Sequence, residues 1–88
     1  MIMDYELSKH VHEEMERRGI PLAVVESVLA SPDQKVPELD TIVCYQSKVE
    51  INRKTCLVRV MVNEAELPPR VVTAYRTSKV NKYWKPLP

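Results

Sequence analysis

Glycine is almost missing from this 88-residue chain, and Gly19 is the only one. A lone glycine offers one low-cost left-handed backbone position, and its place after an amphipathic stretch marks a helix end. Cysteine is nearly as scarce. Cys44 and Cys56 are too few for a disulfide scaffold, and their spacing fits no zinc knuckle. They read as small buried or half-buried hydrophobes in a reducing cytoplasm. Long apolar runs are lacking as well. The opening residues, MIMDYELSKH, have no apolar signal-peptide core, and no stretch approaches the length that spans a bilayer. There is no internal repeat and no low-complexity segment. The expectation is a soluble, cytoplasmic protein with no membrane partner.

What is present fits a globular domain: 44% of residues are hydrophobic and 28% charged. Residues 1–88 form one expected domain, burying roughly 60–65% of the surface of the unfolded chain. The net charge of +1 conceals a division. Residues 1–52 carry five Lys/Arg against ten Asp/Glu, a net −5, whereas residues 53–88 carry eight against two, a net +6. Such a chain can offer a cationic face to an anionic partner, or its halves can neutralise each other within one fold.

Ser8 is placed to cap a first helix that Gly19 stops, with Leu7, Val11 and Met15 forming its apolar stripe. Arg17 and Arg18 fill the last turn, where the helix dipole favours cations. His10 and Glu14 flank one side of the stripe and His12 the other, so the two histidines cannot be co-ligands and no metal site is expected. Pro21 opens a second helix to about Ala30, with Leu22, Val25, Val28 and Leu29 on one face. Pro32 to Asp40 reads as a polar crossing loop. From Thr41 the apolar period becomes two. One strand runs to Ile51, a turn follows at Asn52-Arg53, and a second strand carries Val58, Val60 and Val62; a third runs from Arg70 to about Thr77. The predicted fold is α+β: two N-terminal helices on a three-stranded or slightly larger antiparallel sheet, order α-α-β-β-β, with a basic C-terminal tail.

A two-residue turn at Asn52-Arg53 would pair Tyr45 with Val60 and Gln46 with Arg59, and a turn near Leu67 would pair Arg59 with Tyr75. One face would then hold Val43, Tyr45, Val58, Val60, Val62, Val72 and Ala74 against the helices. The open face would carry a row of Gln46, Arg59 and Tyr75, flanked by Lys48, Met61 and Thr73. Beside it comes the closing stretch VVTAYRTSKVNKYWK, Val71 to Lys85, which contains no acidic residue. Tyr75, Arg76, Ser78, Lys79, Lys82, Tyr83 and Trp84 are the side-chain types that grip a phosphate and stack a base.

The string His10-Val11, then Glu14-Met15, then Arg18-Gly19-Ile20, resembles the opening H-A-x-x-R-M-x-x-R-G-I pattern of the bacterial family called domain of unknown function 4258. Leu57-Val58-Arg59-Val60 and Val72-Thr73-Ala74-Tyr75-Arg76-Thr77-Ser78-Lys79 with Tyr83 resemble that family's later strand and ending. The resemblance spans about residues 5 to 84. The family is similar in turn to the small ribonuclease toxins of the barnase, colicin and RelE type, which implies metal-free RNA cleavage, no cofactor and an antitoxin partner. Carried over, His10 matches the helix-1 histidine, Arg18 the arginine before the glycine, and Tyr75, Ser78, Lys79 and Tyr83 the C-terminal polar cluster. Glu14 stands where the pattern has an arginine. A carboxylate there weakens a phosphate site unless it serves as a base.

RNA scission requires a base for the 2′-hydroxyl, stabilisation of the pentavalent phosphate and a proton for the 5′-oxygen. The expected catalytic set is His10, with Glu14 as the second candidate base, and Tyr75. Arg18, Arg59, Arg76, Ser78, Lys79, Lys82, Tyr83 and Trp84 are the expected phosphate and RNA contacts. Each also has a structural reading: His10 as a surface residue, Glu14 as an ion-pair partner of Arg17 or Arg18, Arg59 as a cross-strand partner, the tail as a solvated end. The alternative function is therefore an inert RNA- or protein-binding module. A homodimer through the sheet edge is compatible with either.

Overall fold

The computed structural model describes residues 5–86. Helix α1, Lys9–Arg17, begins at Ser8, whose extended backbone lets its hydroxyl accept from the Val11 amide at 3.2 Å. Its end is a Schellman closure. Gly19, at φ +67°, donates to the Glu16 carbonyl at 3.1 Å, and Ile20 donates to the Met15 carbonyl at 2.9 Å. Met15 and Ile20, the side chains that flank this closure, are both buried. Helix α2, Leu22–Ala30, follows Pro21 and buries Val25, Val28 and Leu29. Leu22, expected on that face, is 44% exposed in the first turn.

The sheet is larger than expected, and it is mixed. Its strands are β1 (Glu6–Leu7), β2 (Gln34–Leu39), β3 (Ile42–Ile51), β4 (Lys54–Asn63) and β5 (Arg70–Thr77), followed by a short α3 (Val80–Tyr83). The spatial order is β1-β5-β4-β3-β2, with β1 parallel to β5 and the other neighbours antiparallel. The α+β class holds, but the order α-α-β-β-β and the count of three strands do not. The segment expected as a crossing loop pairs as an edge strand instead. An edge strand tolerates Pro37, which lies next to the irregularity in the β2–β3 pairing between Pro37 and Leu39.

The central hairpin turns at Asn52 and Arg53, both at positive φ (53° and 65°), the conformation a two-residue turn requires. This fixes the register: Tyr45 opposes Val60, Gln46 opposes Arg59, and Arg59 opposes Tyr75. An irregularity between Met61 and Val62 corrects one assignment. Met61 still faces Thr73, but Val62 faces Val71, so Val71 is fully buried while Val72 turns outward at 45% exposure. The helix-facing core joins Val11, Met15, Ile20, Val25 and Val28 to Val58, Val60, Val62, Val71 and Ala74. Fully burying each such valine contributes roughly 1.5–3 kcal/mol.

The other face is not open as expected. Cys44, Gln46 and Arg59 are buried there, and the C-terminal segment passes over Gln46 and Arg59. Gln46 donates to the Tyr83 carbonyl at 3.2 Å. Gln34 donates to the Lys85 carbonyl at 2.6 Å and accepts from the Lys85 amide at 3.1 Å. The Lys48 ammonium lies 4.2 Å from the Trp84 ring centroid. No helix among the described residues is long and apolar enough to cross a membrane.

Candidate functional site

Strand β5 joins two polar clusters. On the sheet face, register alone brings Gln46, Arg59 and Tyr75 into a row. Arg59 Nε donates to Gln46 Oε1 at 2.8 Å, Nη1 to the Tyr75 hydroxyl at 2.5 Å, and Nη2 to Glu38 Oε1 at 2.8 Å. The Tyr83 ring lies 4.5 Å from the guanidinium carbon, and Tyr75 and Tyr83 meet edge to face at 6.4 Å. Burial disfavours the Arg59 charge, but the Tyr75 hydroxyl, Cys44 and Glu38 outweigh it, so its pKa moves upward. Gln46 also donates to Gln34 at 2.7 Å, and among the described residues no buried side-chain nitrogen or oxygen lacks a partner. Each of the three guanidinium nitrogens of Arg59 thus donates to a protein acceptor. The residue lies at 5% exposure beneath Tyr83, where it positions Tyr75.

The second cluster lies where α1 runs along the free margin of β5. The i, i+4 spacing puts His10, Glu14 and Arg18 on one helix side. His10 Nε2 is 3.6 Å from Glu14, and Arg18 and Arg17 each approach Glu14 at 3.5 Å. The Thr73 hydroxyl donates to Glu14 at 2.8 Å, and Arg18 Nη1 donates to Thr73 Oγ1 at 3.3 Å and to the Ala74 carbonyl at 2.8 Å. Thr73, then Arg18, His10 and Arg17, hold the Glu14 carboxyl below the usual carboxylate range despite partial burial. Arg76 Nε donates to the Arg18 carbonyl at 2.9 Å.

The clusters touch because Thr73 and Tyr75 are two residues apart on one strand face. Between them lies an open hollow of ≈ 550 Å³ lined by Arg18, Thr73, Tyr75 and Arg76. Of the expected site residues, the structure therefore gathers Arg18, Tyr75 and Arg76 around one depression. Glu14 is tied to Arg18 and Thr73 at its edge, and His10, 73% exposed, is joined to it through Glu14. Arg59 and Tyr83 back Tyr75 from the sheet face. Ser78 lies apart, in a hollow beside the β3–β4 turn. Lys79 and Lys82 are exposed, and Trp84 is occupied by Lys48.

Glu38 and Gln34 were not expected here, since both fall in the segment read as a loop. The alternation of Gln34, Val36 and Glu38 along one face is the only signal that could have found them. Among the described residues, no three His, Cys, Asp or Glu side chains converge to hold a metal ion. A family model described as Domain of unknown function (DUF4258) matches residues 7–76. No curated protein and no solved structure matches the chain.

Proposed function

Because the chain belongs to the family described as domain of unknown function 4258, a name that carries no activity, we propose one from its own geometry: a metal-independent endoribonuclease of the small-toxin kind. The observation that carries this reading is the hollow that two cationic residues, Arg18 and Arg76, line together with Tyr75. Guanidiniums bind the non-bridging oxygens of a phosphodiester in a fork geometry and strengthen as charge builds up on them. Tyr75 oxygen accepts from Arg59, which leaves its own hydrogen free to be given to a leaving group.

In this reading His10 takes the proton of a ribose 2′-hydroxyl as the 2′-oxygen attacks phosphorus. Tyr75 protonates the 5′-oxygen as the P–O5′ bond breaks, leaving a 2′,3′-cyclic phosphate. Glu14 stays ionised and orients Arg18 and His10. Lys79 and Lys82 extend the cationic surface, and the ring faces of Tyr83 and Trp84 not taken by Arg59 and Lys48 supply stacking area. A protein antitoxin would act by covering the β5 hollow.

The saturation of Arg59 favours a second reading, a binding module without turnover. Incubating purified protein with end-labelled RNA in excess chelator separates the two. Cleavage to cyclic-phosphate ends, falling about 10²–10⁴-fold in His10→Ala and in Tyr75→Phe, supports the enzyme. Equal cleavage in all three proteins points to a contaminant, and RNA binding without cleavage supports the module.

A further inference from the structure

Arg76 belongs to two hollows at once. One is the depression it shares with Arg18, Thr73 and Tyr75. The other, of ≈ 370 Å³, lies further along β5 beside the β3–β4 turn, where Lys54, Thr55, Thr77 and Ser78 line it with Cys56. Neither hollow is lined by a carboxylate. Glu50 opposes Thr55 across the strand pair, but it lines a different depression against α2. Among the described residues Arg76 and Lys54 make no ion pair, and the one hydrogen bond of the Arg76 side chain uses Nε alone. Both terminal nitrogens of that guanidinium therefore keep their donors.

We propose that the Lys54–Thr55–Ser78 hollow is a second phosphate subsite, so that the chain grips consecutive phosphates of one single-stranded RNA with Arg76 between them. The inference rests on the reading that the Arg18–Tyr75 hollow receives the scissile phosphate, and it adds where the neighbouring nucleotide lies. The chemistry fits. Lysine acts as a point charge on a phosphate, hydroxyls of Thr and Ser donate to its oxygens, and a guanidinium can serve two neighbours through separate edges. The separation also fits. From Thr73 to Thr77 an extended strand advances roughly 13 Å, enough for more than one phosphate along an unpaired backbone. A track of this kind carries no base code, so the grip is sequence-tolerant and salt-dependent.

The test uses the full chain and a fluorescent five-nucleotide RNA, with affinity measured across a salt series. Lys54, Thr55 and Ser78 are exposed, so Lys54→Ala/Ser78→Ala is expected to fold as wild type. That double variant should bind about tenfold more weakly, with a log–log salt slope shallower by about 0.7 for one lost phosphate contact on a single strand. Wild-type affinity and slope in the double variant, with Arg18→Ala still weakened, would overturn the subsite and leave the proposed function standing. No RNA binding by wild type would remove both. In a parallel NMR titration with inorganic pyrophosphate, amide shifts at Thr55, Thr77 and Ser78 are expected. Their absence, or pyrophosphate binding as tightly as the RNA, would overturn the assignment to a nucleic-acid backbone.

Discussion

Arg59 is the residue on which the polar face depends. It is a cation at 5% exposure, and three of its donors meet an amide, a phenol and a carboxylate. Arg59→Ala would leave buried Gln46 and partly buried Glu38 without their donor, and should cost about 3 kcal/mol in urea unfolding. Glu38→Ala should cost far less, because that carboxylate is one-third exposed and returns to water. The thiols offer a second check at this scale. Burial pushes the Cys44 thiol up to about 11, with Glu38 adding to the rise and Arg59 opposing it. Cys44 and Cys56 are both buried and unpaired. A thiol-reactive dye at neutral pH should not label Cys44 until denaturant is added; rapid labelling of Cys44 in the folded protein would contradict the packing around β3 and β4. The alternation of Gln46 and Arg59 with valines made their shared face legible in the sequence. Their burial was not legible, because it comes from Tyr83, which lies 37 residues beyond Gln46 and 24 beyond Arg59 in the chain.

At the scale of elements, the docking of α1 onto β5 has its own signature. Glu14 titrates below its ordinary range in the folded protein, chiefly through Thr73. A carboxylate shifted downward stabilises fully above its unfolded value, and that contribution disappears as pH falls through the folded one. Melting temperature should therefore drop on acidification below the usual carboxylate range, and Glu14→Gln should flatten part of that acid limb. Glu64, held low by Tyr45 and then by Lys35, would supply another part of it. The α1 end gives a second prediction. Gly19 sits at φ +67°, and an added Cβ would lie 3.1 Å from Arg76 Nη2. Gly19→Ala should destabilise by about 1 kcal/mol in equilibrium unfolding and displace the Arg76 guanidinium. Both helices were legible from Ser8, Gly19 and Pro21, since caps are local chemistry. Strand β2 was not, because Pro37 and its charged neighbours suit an edge and a loop equally well. The irregularity at Val72 was also hidden, since two adjacent valines do not say which faces inward.

Across the whole molecule, the C-terminal segment acts as a strap over the sheet. Its ties include the Gln46–Tyr83 bond, two Gln34–Lys85 bonds, the Lys48–Trp84 contact and the packing of Tyr83 on Arg59 and Tyr75. Deleting residues 80–88 should uncover Arg59 and lower Tm by about 10 °C, the shift expected for a loss near 2 kcal/mol in a domain of this size. A truncated chain that melts like the full one would show that these ties contribute nothing in solution. The charge division seen in the sequence survives in space only in part: acidic Glu38 of the first half pairs with Arg59 of the second, and Lys35 of the first half pairs with Glu64 of the second.

The two borders of the sheet differ, and this limits how copies of the chain can associate. At the β5 border, Glu6 and Leu7 pair with Arg70 and Val71, and the Arg18 guanidinium occupies the Ala74 carbonyl. At the opposite border lies β2, an edge strand of six residues with no strand beyond it among the described residues. A neighbour's strand can add there, and the joined pair then has no second vacant margin of that kind. Growth by strand pairing should accordingly stop at two subunits instead of continuing into a fibril.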